Sequence, residues 1–203
     1  LHAIRVLQDK KDFTIDSLIT AAYDSYLTWF DKPLPALIKA WDQAPATDPL
    51  KAKLADQIGL LRAWDRRWSM TSAPTSLAVF WAEDMQRKVG TDARRARLSV
   101  EAYIAGQATP EQMLQSLSAA SDKLAADFGN WKTPWGDINR FQRLNDDLVH
   151  PFSDTGPSIP VGFTSAIWGS LAPFGARPYQ GSKKIHGTSG NSFVAVVEFG
   201  KTV

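Results

Sequence analysis

Cysteine is absent from all 203 residues, which excludes disulfides, thiolate metal sites and a cysteine nucleophile, while leaving cytosolic and periplasmic settings equally open. A charge imbalance is also missing. The 23 basic and 21 acidic residues give a formal net charge of +2, too even for the basic stripe that tracks phosphates or an anionic membrane surface. No nucleic-acid partner is expected. No apolar run approaches the roughly 20 residues a membrane span requires, and the first residues carry no basic, apolar, small-residue signal pattern. Histidine occurs only at positions 2, 150 and 186, too far apart for a local metal site, and no pair has H-x-x-x-H spacing. P-loop, dinucleotide-binding and calcium-loop patterns are missing as well. Accordingly no cofactor and no metal ligand is assigned.

What is present is enough apolar material, 44% of residues, for a chain of this length to bury roughly 70% of its unfolded surface. The first 128 residues read as helical. Residues 1–7 look like a helix already under way. Thr14 is a plausible N-cap, and Ile15, Leu18, Ile19, Ala22 and Tyr26 recur at helical spacing. Pro33 and Pro35 break that pattern and open a short helix carrying Leu37, Ile38 and Trp41. Asp48 followed by Pro49 offers a cap and a first-turn proline for a stripe of Leu50, Leu54, Ile58 and Leu61. Ser72 to Pro74 restarts a helix burying Leu77, Phe80, Trp81 and Met85. Residues 87–97, with five basic side chains, fit a solvated connection or an exposed helix face. Thr109-Pro110-Glu111-Gln112 has the form of a capping box, leading into Met113, Leu117, Ala120 and Leu124, with Gly129 as a left-handed stop.

Beyond residue 129 the pattern changes. Pro, Gly, Ser and Asn become frequent and periodicity fades, so 129–203 is expected to be a long irregular segment ending in a strand. That strand is placed at 193–199, where Val and Phe dominate and only Glu198 is charged, a composition suited to the middle of a covered sheet. The chain opens without Met and closes soon after Gly200, and is expected to be a piece of a longer polypeptide. The fold class is therefore α+β.

Residues that could carry chemistry have simpler readings beside them. Of the eight tryptophans, Trp29, Trp41, Trp64 and Trp81 fall on or near apolar helix faces and are expected in the core. Trp131 and Trp135, in loop context, are the better candidates for ligand stacking. Gly187-Thr188-Ser189-Gly190-Asn191 invites comparison with the G-x-S-x-G nucleophile elbow, with His186 three residues before Ser189. The second Gly follows the serine directly, however, and a strand rather than a helix comes next, so a tight turn is expected there. Asp146 and His150, four apart, are expected to form a surface ion pair.

Several blocks recur in a familiar order: Asp9-Lys10-Lys11-Asp12-Phe13-Thr14-Ile15-Asp16, Ala22-Tyr23-Asp24-Ser25-Tyr26-Leu27, Leu61-Arg62-Ala63-Trp64-Asp65, Asn130-Trp131-Lys132-Thr133-Pro134, and 187–200 with its Gly-Thr-Ser-Gly-Asn-Ser start. Together they resemble the penicillin acylase family, and within it the homoserine-lactone and aculeacin acylases. The resemblance implies a four-layer sandwich, two antiparallel sheets covered by helices, with this chain as a helical excursion of the larger subunit plus the return into the sheet. It implies acyl transfer by an N-terminal serine exposed by self-cleavage, whose α-amine serves as base, with an asparagine and a backbone amide holding the oxyanion. The nucleophile, its neighbouring histidine, the oxyanion asparagine and the supporting arginine would all precede Leu1. Arg5 would take the arginine's place only with a register shift of a helical turn and is not assigned it. No catalytic residue is therefore expected in this chain. Calcium ligands of some members also belong to other parts. The implied partners are the α chain and the N-terminal part of the β chain, the substrate is a small N-acyl compound, and the location is periplasmic or secreted. A noncatalytic, Trp-rich helical binding module is the alternative reading.

Overall fold

A computed structural model describes residues 1–191 and 193–200. Ser192, the last residue of the 187–192 block, and 201–203, the end of the 129–203 region, lie outside them. The order of elements is α1 (His2–Leu7), α2 (Ile15–Ala22), a 3₁₀ turn (Thr28–Asp31), α3 (Pro33–Gln43), α4 (Pro49–Lys53), α5 (Ala55–Ala63), α6 (Ala73–Arg95), α7 (Val100–Gly106), α8 (Pro110–Phe128), α9 (Trp135–Ile138), β1 (Asn139–Phe141), β2 (Ile159–Pro160), a second 3₁₀ turn (Ala166–Trp168), β3 (Phe174–Pro178) and β4 (Ile185–Gly190). The chain is α+β. No helix among the described residues is long and apolar enough to cross a membrane.

Helix starts follow the local chemistry of the sequence. Thr14 accepts from the Ser17 amide while the Ser17 hydroxyl accepts from the Thr14 amide. Thr109 and Gln112 make the same reciprocal exchange, each pair satisfying donors that a helix N-terminus otherwise leaves open. Asp48 and Ser72 cap α4 and α6, each with proline in the first turn. Gly129 ends α8 at φ +80°, a conformation that costs glycine least.

α6 is the central helix. Leu77, Trp81, Met85 and Val89 on its buried face meet Met113, Leu117 and Leu124 of α8 and Leu37 of α3 within one core, and the buried Trp81 indole donates to the Met113 carbonyl at 3.2 Å. Its basic C-terminal half is the exposed face anticipated from 87–97. A second aromatic knot joins the two 3₁₀ turns: Trp29 and Phe30 lie 5.1 and 5.8 Å from Trp168, and Phe30 lies 5.3 Å from Trp64. Trp135, Ile138 and Trp168 belong to the same core as the helices, so the core crosses residue 129.

Four expectations need correction. The segment after residue 129 is not irregular throughout, because β2, β1, β4 and β3 form a mixed sheet in that order. β1 runs parallel to β4 and antiparallel to β2, and β3 and β4 are antiparallel with a register shift at Gly175/Ala176. The tight turn expected at 187–190 is instead the second half of β4. Residues 193–199 form no strand: they pair with no described residue, and Phe193 and Phe199 are 84% and 94% exposed. A strand needs a neighbour to take up its amides and carbonyls, and the described chain supplies none there. Finally, α2 stops at Ala22 short of Tyr26, and Ile15 and Ile19 of its apolar stripe are exposed while Leu18 and Ala22 are half-buried.

The sheet is fixed to the helices by backbone contacts. The amides of Trp135 and Gly136 donate to the carbonyls of Ser72 and Met70. A Cβ at Gly136 would stand 2.9 Å from the Met70 oxygen, so glycine is required at this approach. Buried Asn139 opens β1, and its amide nitrogen donates to the Val161 and Phe163 carbonyls at 2.9 and 2.8 Å.

Candidate functional site

Unlike side chains converge on the two faces of this sheet. His186 and Ser189 both lie on β4, on either side of its register shift, with His186 paired to Arg177 and Ser189 to Gly175. On the first face His186 is fully buried, 5.4 Å from the Phe152 ring, which stacks on Tyr179 at 4.3 Å. The Ser182 hydroxyl lies 3.2 Å from His186 Nε2, 2.6 Å from Asp154 Oδ1 and 2.7 Å from the Lys184 carbonyl. Serine, histidine and aspartate thus meet, but in the wrong order for a nucleophilic relay. Such a relay places the serine on one ring nitrogen and the carboxylate on the other. Here Asp154 Oδ1 is 3.9 Å from the same Nε2 that faces the serine, while buried Nδ1 has no partner among the described residues.

The arrangement is a clasp. The Asp154 carboxylate also accepts from the amides of Lys183 and Lys184 at 2.8 and 3.0 Å, and Lys184 Nζ donates to the Asp154 carbonyl at 2.8 Å. The loop before β2 is thereby tied to the turn before β4. Burial alone would raise the Asp154 carboxyl, but the Ser182 hydroxyl and the two amides more than offset this and hold it below the ordinary carboxylate range. Burial pushes His186 down, and Lys184 and Arg140 add to that against the pull of Asp154.

On the second face an apolar cleft of about 600 Å³ opens over the sheet. Phe141 of β1 and Phe174 of β3 are joined there by Phe163 and Tyr23, with Arg143 at the rim. Gly187 makes room for an aromatic ring, since a Cβ there would lie 2.0 Å from Phe174 Cζ. Ser189 borders the cleft, exposed. The serine nucleophile weighed from the 187–191 pattern bonds no imidazole: His186 Nε2 faces Ser182, and its Nδ1 has no partner among the described residues.

The other residues singled out in the sequence are dispersed. Asn130 Oδ1 accepts from the Lys132 amide at 2.9 Å, and the Thr133 hydroxyl bonds the Asn130 carbonyl, so 130–134 is a self-bonded turn after α8. Trp135, expected to be available for a ligand, is 2% exposed in the core, and Trp131 packs half-buried against it. All eight tryptophans are buried or half-buried. Asp146 and His150 do not pair. They lie in non-helical chain, where four residues is not one turn, and His150 packs 6.1 Å from the Phe152 ring instead. Arg5 is exposed, its guanidinium 3.8 Å over the Tyr26 ring. His2, given no role from sequence, is buried and bonds the Gly169 carbonyl at 2.7 Å and Asp24 at 2.8 Å. Its partners are 167 and 22 residues away, and no local pattern announces them. Burial would raise Asp24, but the Arg67 guanidinium at 2.8 Å, the Tyr26 amide and His2 together keep it low.

The family model for penicillin amidase matches residues 2–203. The chain belongs to the penicillin amidase family. A search of curated proteins gave no match. The match embraces both the helical part and the sheet, so the Asp154 clasp and the apolar cleft are features of a penicillin amidase chain. The family is one of amide hydrolases, and hydrolysis of an amide bond is the chemistry against which these sites are weighed.

Proposed function

We propose that this chain is part of an acylase that removes the acyl group from a small N-acyl substrate, such as an acyl-homoserine lactone or a β-lactam, and that it contributes scaffold rather than catalytic residues. The observation that carries the reading is the family match over residues 2–203. The closed geometry around Ser182, and an imidazole of His186 that faces Ser182 and does not bond Ser189, support placing the nucleophile elsewhere in the polypeptide, on an N-terminal serine. In that reaction the serine oxygen attacks the amide carbonyl, its proton passes to the serine's own α-amine, and preorganised donors hold the oxyanion. Collapse breaks the C–N bond as the proton moves to the departing amine, and water then hydrolyses the acyl ester.

The test is turnover of long-chain acyl-homoserine lactones and penicillins by the native polypeptide carrying this chain, with mass spectrometry to identify its N-termini. Acyl release that persists in Ser182→Ala and Ser189→Ala, within about twofold per titrated site, is the expected result. A more than hundredfold loss in either folded variant would show that this chain holds the nucleophile and would overturn the proposal.

A further inference from the structure

The self-bonded turn at 130–134 has no part in the proposed reaction, yet it forms one wall of a polar pocket of about 400 Å³. Lys132 stands exposed on that wall, and Asp137 of α9, Arg140 of β1 and Lys184 just before β4 complete the charged lining. The volume is within the range of small-molecule sites.

None of the three cations is in an ion pair with a carboxylate among the described residues. Half-buried Arg140 donates to the Ser158 hydroxyl and carbonyl and to the Gly136 carbonyl. Lys184 Nζ donates to the Asp154 carbonyl at 2.8 Å, and Lys132 Nζ stands 4.9 Å over the Trp131 ring. These partners are all neutral. Lys184 also acts on the Asp154 carboxylate from beyond ion-pair distance, so Lys132 and Arg140 hold the least compensated charge. Asp137 is the one carboxylate in the described lining, which leaves a surplus of two positive charges there, as large as the +2 of the whole chain. Charge is therefore even elsewhere and concentrated here.

Donors outnumber acceptors in the same space. A lysine has three N–H groups and an arginine five, so Lys132 keeps all of its own and Arg140 keeps two after the bonds just named. Asn130 turns its oxygen to the Lys132 amide, which leaves its NH₂ group without a partner among the described residues. The pocket adjoins the end of α8, where cations complement the helix dipole. Lys183 fills that role, donating to the Ala126 carbonyl, and neither Lys132 nor Lys184 bonds α8.

We propose that this pocket is an anion site for a phosphate group, free or as the monoester of a small molecule, held by Lys132 and Arg140 with Lys184 adding its field. A phosphate monoester brings a charge of about −1.5 to −2 at pH 7 and three acceptor oxygens, which matches both the surplus charge and the unused donors. A carboxylate brings half that charge. The inference rests on the lining and stands apart from the amide-hydrolase reading.

Inorganic phosphate is the probe, phenyl phosphate the monoester and acetate the singly charged comparison, each exchanged for chloride at constant ionic strength. Binding to the native polypeptide carrying this chain is followed by calorimetry and by broadening of the phosphorus NMR signal, with acyl release measured separately in phosphate-free buffer. Saturable phosphate binding at about 1 mM or tighter is expected, roughly tenfold tighter than acetate. Lys132→Gln should weaken it about fivefold, the factor an exposed ion pair supplies, and Lys132→Arg should retain it. Asp137→Asn should strengthen it by a similar factor, because it removes the one repelling carboxylate. Tighter binding of phenyl phosphate would identify a monoester, and equal or weaker binding the free ion; either supports the site. No saturable phosphate binding at about 20 mM, an affinity unchanged in folded Lys132→Gln and Asp137→Asn, or equal affinity for acetate would each overturn the proposal. Absence of acyl release with phosphate binding intact would refute the acylase reading and leave this one standing.

Discussion

Replacing Asp154 with asparagine tests whether the Ser182–His186 region is a structural clasp. The carboxylate accepts one hydroxyl and two amide hydrogen bonds, at 2.6, 2.8 and 3.0 Å. Bonds to a charged acceptor contribute about 1.5–3 kcal/mol each. They act as a unit, and a side chain left 27% exposed keeps some access to water, so the sum is not reached. Asparagine preserves size and one acceptor oxygen but turns an NH₂ group toward donors, and Asp154→Asn should cost about 2–4 kcal/mol at pH 7. That corresponds to a drop in Tm of roughly 5–15 °C for a chain of this size. The folded carboxyl is held below its unfolded value of about 3.9, so its contribution is fully present above that value and is lost as pH falls through the folded one. Urea denaturation followed by tryptophan fluorescence, at pH 7 and at steps below pH 4, should show the two proteins converging as acid removes from the wild type what the substitution has already removed. A difference under about 0.5 kcal/mol at pH 7, or one that does not narrow in acid, would refute the clasp.

Three further outcomes are expected. His186→Gln should flatten the pH dependence of stability just below about pH 6.5: a folded histidine pushed down by burial favours the folded state fully above the unfolded value and less as pH falls toward its own, a slope that glutamine lacks; urea midpoints across pH 7.5–5, in steps of about half a unit, read it. Trp135→Ala should destabilise by about 3–5 kcal/mol, and Trp131→Ala by markedly less, because only Trp135 is fully enclosed; equal losses by chemical denaturation would contradict this packing. Arg97→Gly should stabilise by about 0.5–1 kcal/mol, since Arg97 is exposed at φ +56° just after α6, where glycine carries little strain; an unchanged or lower Tm would count against it.

The helical part was legible because its determinants are local. Thr14, Asp48, Ser72 and Thr109 each cap through atoms within three residues, and the stripes of α6 and α8 repeat often enough to establish a 3.6-residue period. The sheet escaped because its determinants are distant. β1 is three residues long and meets β4 46 positions later, Asn139 opposite Ile185. β2 has two residues and includes a proline, while β4 reads Ile-His-Gly-Thr-Ser-Gly, a composition that resembles a turn although Gly187 makes room for Phe174 rather than for a bend. The candidate sites share this property. Asp154 reaches Ser182 across 28 residues and His2 reaches Gly169 across 167, and no window of sequence contains either pair.

The opposite error, at α2 and at 193–199, has a different cause. Apolar periodicity reports that a face disfavours water; it does not say which element covers it. The Ile15 and Ile19 stripe and the Phe193 to Phe199 run are as apolar as core segments, yet Ile19 is 41% exposed and Phe199 94%. These surfaces adjoin. Ala22 and Tyr23 of the α2 end meet Ala172, Asn191 and Val194 along one apolar groove, and Tyr23, Ala172 and Val194 also line the cleft over the sheet. The apolar surface at the end of α2 is therefore continuous with the cleft over the sheet. Burial of that surface is set by what meets it, a long-range property that the spacing of its residues cannot encode.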